Sequence, residues 1–354
     1  MKILVTGGCG FIGSAVIRHA IRRSGHDIVN LDKLTYAATP EALEEAADDP
    51  RHVFERADIC DADRLRAIFE RHRPNAVLHL AAETHVDRSI DGPADFVTTN
   101  VFGTFTLLQT ARAYFETLTG TERSRFRFLH VSTDEVFGSL GTGDPGFTER
   151  STYAPRSPYS ASKAASDHFA AAWGHTFGVP VIITNCSNNY GPWQFPEKLI
   201  PLMLLRARKA EVLPVYGRGD NIRDWLHVDD HAAALWSVLE RGRIGESYMI
   251  GGNCEHSNIA VVEWICEAMD RRFPEQAPHA RLIRHVEDRP GHDLRYAIDA
   301  GKIRAELGWT PARDFRRGLD ATIDWYLGHE SWWRGVGARV YGGQRLGLVE
   351  AIAS

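Results

Sequence analysis

Two carboxyls stand side by side in HVSTDEVFGS, residues 130–139, where a run suited to the end of a buried strand gives way to Thr133, Asp134 and Glu135. Adjacent acids leaving a strand can reach adjacent atoms of one substrate, one giving a proton while the other takes one, if their surroundings set their pKa values apart. A helix cap or a solvated acidic pair is the ordinary alternative, and only position decides between them. A second pair is Tyr159 and Lys163 in YSASK, whose spacing of four puts both side chains on one face of a helix. A cation near a phenol lowers its pKa from about 10 towards neutrality, as does a positively charged ring beside it, so Tyr159 is a candidate base. The third group is the glycine run in TGGCGFIG, where Gly8-x-Gly10-x-x-Gly13 overlaps a reading that starts at Gly7. Glycines so spaced let the backbone turn tightly against a pyrophosphate lying on the N-terminus of the next helix.

Each of these signals is weak alone, and the elements around them give them weight. The glycine run follows an apolar strand, KILVTG, and opens an apolar helix, FIGSAVIRHAI. A second strand, DIVNLD, then ends in Asp32, 19 residues past Gly13. A carboxylate there accepts from a ribose 2′-hydroxyl and repels a 2′-phosphate, which favours NAD over NADP, although Lys33 beside it weakens the exclusion. Further runs rich in Val, Ile and Leu occur at 52–58, 76–82, 127–133 and 180–186, with helix-like stretches between most of them. This alternation predicts an α/β protein with a doubly wound, Rossmann-like parallel sheet covered on both faces. From about residue 190 the pattern loosens into shorter pieces, among them LPVYG, SYMIGG and HARLIRH. We therefore expect an NAD-binding domain over 1–189 carrying the catalytic residues and a smaller α/β lobe over 190–354, some of whose segments return to the first.

Composition narrows the function. With 354 residues, 44% of them hydrophobic, the chain can bury one large core or two modest ones. No apolar run approaches the roughly 20 residues of a membrane span, and no signal-peptide zones precede KILVTGG, so a cytoplasmic protein without a membrane partner is expected. Five scattered cysteines without a C-x-x-C pair suggest reduced thiols, and sixteen histidines without ligand spacing suggest no metal. A net charge of −5 argues against a general nucleic-acid binder.

Together these pieces resemble the extended short-chain dehydrogenase/reductase superfamily over nearly the whole chain. More narrowly, LVTGGCGFIGSA, LDKLTYA, LAAETHVDRSIDGP, HVSTDEVFGS, SPYSASKAASDH, NCSNNYGPWQFPEKLIP, LPVYGRGDNIRDWLHVDDHA and EDRPGHDLRYAID are similar, in the same order, to the dTDP-glucose 4,6-dehydratases. The resemblance implies bound NAD, held by Gly7, Gly10, Phe11, Ile12, Gly13, Asp32, Lys33, Thr35, Asp58, Ile59, Leu80, Ala82 and Thr99, with Tyr159 and Lys163 also at the cofactor. It implies catalysis by Thr133, Asp134, Glu135, Tyr159 and Lys163 on dTDP-glucose. Tyr159 would take the C4 hydroxyl proton during oxidation while Thr133 bonds the same oxygen. The resulting ketone acidifies C5, Glu135 would remove the C5 proton, and protonated Asp134 would release the C6 hydroxyl as water. The hydride would then return to C6, so the cofactor closes its own redox cycle and stays bound. For the substrate, the resemblance implies Thr84 and Asn188 near the hexose and Lys198 and Arg223 at the diphosphate. Asn258, Arg289, His292 and Tyr296 would lie around the nucleoside end, Arg289 also suiting a diphosphate through its guanidinium fork, and Leu199, Pro214 and Tyr216 would also bind the substrate.

The same resemblance, with the apolar faces of 98–115 and of the Tyr159 helix, implies a homodimer joined by a four-helix bundle. The chain departs from the family pattern at Ala38 and Thr39, at Arg156, and in a tail from about residue 339 with no counterpart. A nucleotide-sugar 4-epimerase shares the NAD site and the Tyr-Lys pair but has no use for Asp134 and Glu135. A GDP-mannose 4,6-dehydratase would be expected to use NADP and to lack Asp32, and a non-catalytic NAD-sensing protein would not need the five catalytic residues.

Overall fold

The computed structural model describes residues 1–339, with side chains through Val336. The tail without a counterpart lies, beyond Arg339, outside the described residues. Seven parallel strands form the main sheet in the order β10-β6-β5-β4-β1-β2-β3. They are β1 (Lys2–Thr6), β2 (Asp27–Asp32), β3 (His52–Arg56), β4 (Ala76–His79), β5 (Arg127–Thr133), β6 (Val181–Cys186) and β10 (Ser247–Ile250). The order reverses direction between β1 and β4, so a crevice opens at the carboxyl ends of the central strands, where open α/β sheets take ligands.

The central strands β1, β4, β5 and β6 are buried on both faces, while the edge strand β3 is largely exposed. Helices Phe11–Arg23 and Val228–Arg241 cover one face with Val16, Ile17, Leu235 and Leu239. Helices Ala62–His72, Thr104–Thr117 and Pro158–Phe177 cover the other with Leu65, Phe69, Leu107, Phe115 and Trp173. At roughly 25 cal/mol per Å² of apolar surface, each such side chain contributes about 1.5–3 kcal/mol, which is what holds the crevice residues on rigid strand ends.

Two small sheets complete the described structure. β7 (Asn188–Tyr190), β9 (Ile222–His227) and β11 (Glu255–Ser257) form one, and β8 (Leu213–Tyr216) pairs in parallel with β12 (Ile283–Val286) in the other. Their own core, with Met203, Val215, Ile265, Leu319 and Trp333, packs beside the first layer. SYMIGG, with its flanking glycines, reads as part of the smaller lobe, yet its strand β10 pairs with β6 and extends the main sheet. Short apolar strands carry no mark of which sheet they join.

Candidate active site

The glycine turn is closed by contact, not by preference alone. Gly7 has φ +73°, and a Cβ added there would lie 2.7 Å from the Ala81 backbone; one added at Gly13 would lie 2.1 Å from the Gly7 carbonyl oxygen. The helix begun at Phe11 is capped by Gly10 with no side chain over its first amides, which leaves them free to meet an anion. Asp32, at the end of β2, accepts from the Cys9 amide at 3.0 Å and the Leu34 amide at 2.8 Å. These bonds oppose the burial that pushes its carboxyl above its ordinary value. Gly7, Gly10, Phe11, Ile12, Gly13, Asp32, Lys33, Thr35, Ile59, Leu80, Ala82 and Thr99 line one continuous cavity. The bare amides, the glycine floor and the carboxylate suit a dinucleotide. Asp58 is not on the cavity wall: it pairs with Lys33 at 3.5 Å and accepts from the Cys60 amide, so it steers Lys33, which donates to Thr99.

The same cavity reaches the end of β5. Beyond Thr133 the chain makes a single 3-10 turn, Asp134–Phe137, anchored by buried Val136 and Phe137, with the Glu135 amide donating to Thr133 Oγ1 at 3.3 Å. Thr133, Asp134, Glu135, Tyr159 and Lys163 all line it. Asp134 is 1% exposed and its Oδ2 has no hydrogen-bond partner. Burial, then Glu135 and Asp224, push its carboxyl well up, towards the neutral acid. Glu135 is also raised by burial, but Arg289, Lys198 and Arg223 all pull it back down. Both acids are raised, and the cations that face Glu135 leave Asp134 the further raised of the two.

Tyr159 is held by a helix that starts just before it. Ser157 and Ser160 form a capping box and Pro158 takes the first helical position. Below it, Asp167 accepts from His130, Ser132, Tyr153 and Asn185, and Asn185 donates to the Thr133 carbonyl, tying helix to strands. One expectation needs correction. Lys163 gives its ammonium to the Val131 carbonyl at 2.9 Å, and burial, followed by Glu135, pushes the Tyr159 phenol well above its ordinary value. The protein alone does not make this phenol a base at neutral pH.

A second cavity opens beyond Glu135, lined by Thr84, Asn188, Lys198, Leu199, Pro214, Tyr216, Arg223, Asn258, Arg289 and His292, with Thr84, Glu135, Asn188, Glu197 and Lys198 shared between the two. Lys198 donates to the Thr84 carbonyl at 3.0 Å, and Asn188 Oδ1 is buried without a partner. Arg223 is 5% exposed and donates to the Ile222 and Asp293 carbonyls. Burial pushes His292 down to about 4, so it is neutral near pH 7. Tyr296 lies outside the wall: its ring is 4.3 Å beneath the Arg223 guanidinium and its hydroxyl donates to Asp293. It supports Arg223 from behind.

Sequence reasoning missed Glu197 and Asp87. Glu197, 2% exposed at its side chain, accepts from Tyr36 at 3.0 Å and from Arg88 at 2.9 Å in the wall between the cavities. The only available signal was an acid beside Lys198, within PEKLIP.

A doubly wound sheet with a glycine turn, a strand-end acid pair and a Tyr-Lys helix defines a short-chain dehydrogenase/reductase fold. Residues 4–322 match the family described as GDP-mannose 4,6 dehydratase. The chain is 54% identical over 362 residues to a dTDP-glucose 4,6-dehydratase of Escherichia coli, covering 99% of this chain and 100% of that protein. It is 42% identical to the dTDP-glucose 4,6-dehydratase of Bacillus anthracis solved in complex with NAD, with a TM-score of 0.84, covering 95% of this chain and 99% of that one. The enzyme of the same name from Streptomyces venezuelae, solved with NAD bound, gives 42% and 0.87 with 95% and 100% covered. The chain belongs to this nucleotide-sugar dehydratase family, in its dTDP-glucose 4,6-dehydratase branch.

Proposed function

We propose that the protein converts dTDP-glucose to dTDP-4-keto-6-deoxyglucose and water. The observation that carries this reading is the Asp134-Glu135 pair at a strand end that reaches both cavities: burial raises both carboxyls, Asp134 the more, while three cations oppose the rise at Glu135. Bound NAD, when present, supplies the hydride acceptor and donor that no side chain provides, together with a positive ring charge. In our reading Tyr159, its phenol then favoured as an anion, takes the C4 hydroxyl proton while Thr133 bonds the same oxygen. Glu135 removes the C5 proton, acidified by the new ketone, and the Asp134 carboxyl gives its proton to the departing C6 oxygen, so that water leaves; the proton held on Glu135 would go back to C5 as the hydride is returned to C6. Asn188 and Thr84 hold the hexose, and Lys198, Arg223 and Arg289 meet the diphosphate.

An epimerase leaves C5 untouched and would have no need to bury two acids there. Incubating purified protein with dTDP-glucose tests the reading: an alkali-absorbing 4-keto product is expected, and its absence would sink it. Turnover of UDP-glucose in parallel measures how far the base pocket discriminates. We further propose a cytoplasmic homodimer, supported by the free, largely buried cysteines and by the partly exposed Phe105 and Phe169 on helices Thr104–Thr117 and Pro158–Phe177. Among the described residues no helix is long and apolar enough to cross a membrane.

A further inference from the structure

Beside the three cations of the second cavity stands a carboxylate for which the chemistry above has no task. Asp87 lies on the short helix Val86–Asp91, which follows β4 of the main sheet, and its side chain is 8% exposed. One oxygen accepts from Arg289 Nη1 at 2.9 Å and the other from the Tyr216 hydroxyl at 2.9 Å. Both partners come from the other side of the cleft. Tyr216 ends β8, Arg289 follows β12, and those two strands pair with one another.

A buried carboxylate is costly unless paired, so the contact is close to obligatory. Burial would raise the Asp87 carboxyl, but Arg289 beside it holds it below its ordinary value, and it stays ionised at neutral pH. Arg289 meanwhile faces repulsion from its own kind, since its charge disfavours the charged forms of both Arg223 and Lys198. An arginine on a long stem in such a cluster swings towards water unless something ties it. Asp87 ties one edge of the guanidinium and leaves the rest of the fork for an incoming anion.

We propose that Asp87 is a positioning residue for the nucleoside-diphosphate end of the substrate, setting Arg289 and Tyr216 in their binding geometry before the ligand arrives. It rests on the reading of the second cavity as the nucleotide site and names the group that pre-organises it. Its main contribution belongs to affinity, because neither partner touches the reacting carbons; it reaches the C5 step only through the Arg289 charge that opposes the rise at Glu135.

Asp87→Asn keeps the shape and an acceptor and removes the charge. The expected result is a dissociation constant for dTDP, read by calorimetry, raised about tenfold, with KM for dTDP-glucose raised alike. The value of kcat should fall by less than KM rises, since Arg289 also faces Glu135, and the bound NAD content should not change. Arg289→Gln should weaken dTDP by itself, and adding Asp87→Asn to it should cost little more, since the carboxylate acts through that arginine. Wild-type dTDP affinity in Asp87→Asn, a fall in kcat with KM unchanged, or full additivity of the two losses overturns the positioning role. Should Asp87→Asn not fold alone, the double variant, in which neither charge is stranded, decides: affinity equal to Arg289→Gln supports the role and affinity well below it overturns it. A wild-type protein that binds no dTDP would overturn the substrate reading and the proposal with it. One that binds dTDP but converts no dTDP-glucose would sink the proposed reaction, while the dTDP comparison still decides the positioning role.

Discussion

Asp134 and Glu135 are separated by one peptide bond and by the charges that face them, and this difference can be measured. Glu135→Gln keeps the shape but removes the basicity, so C4 oxidation should survive while C5 deprotonation falls by about 10² to 10⁴-fold. Reduced cofactor should then build up on the enzyme, visible by its absorbance, with little 4-keto product. Wild-type turnover, or a variant that never reduces its cofactor, would remove Glu135 from the role. Asp134 makes a different prediction, on stability. Its carboxyl is raised from 3.8, so above about pH 4 the folded protein keeps a proton the unfolded chain has shed. Folding then takes up a proton, and the Asp134 contribution becomes less favourable as pH rises through that window. Asp134→Asn should raise Tm at pH 7 to 8 relative to wild type, the gain shrinking towards pH 4. Much at this scale was legible: the acid pair, the Tyr-Lys pair and Asp32 are marked by type, spacing and flanking strands. The raised phenol of Tyr159 was not, because it depends on burial beneath distant segments, and neither was Asp87, whose partners lie 129 and 202 residues away.

The glycine turn is the element on which the dinucleotide reading depends most directly. Gly13→Ala would push a methyl to within 2.1 Å of the Gly7 carbonyl oxygen, which cannot swing aside as a side chain could. The turn must open, and the variant should purify without NAD and lose activity while its far-ultraviolet circular dichroism stays near wild type. Full NAD occupancy in Gly13→Ala would show that the close approach is not needed. Strands read well from sequence here because buried parallel strands are unbroken apolar runs: the six of the first layer begin at or within a residue of expectation, while the runs at 52–58 and 76–82 overshoot strands that end at Arg56 and His79. The overshoot falls where the chain enters the cavity wall, at Ala57 and Leu80, each still donating its amide to the neighbouring strand, and at Ala81 and Ala82. The seven residues Val97–Gly103, by contrast, form wider π-type turns ahead of helix Thr104–Thr117, a winding that no local residue pattern announces.

At the scale of the molecule, that widened segment carries Val97, 57% exposed, and Phe102, 52% exposed. It packs beside helices Thr104–Thr117 and Pro158–Phe177, the pair expected to meet their copies across a dimer. Phe102→Asp should therefore shift sedimentation from dimer to monomer at micromolar concentration; a wild-type monomer, or a variant still fully dimeric, would move the interface elsewhere. The change in sequence texture near residue 190 does not confine the later chain to the small sheets, since helix Val228–Arg241 and β10 both join the main one. β6 ends at Cys186, the chain builds most of one small sheet, and only at Ser247 does β10 arrive to pair with β6. On the ribosome, at ~5–20 residues per second, VIITNC therefore waits on the order of several seconds as an unpaired apolar edge. An edge of that kind is a template for pairing with another chain. The segment between Cys186 and Ser247 thus sets an interval in which the nascent protein is most exposed to aggregation, and lengthening it would cost yield before it cost activity.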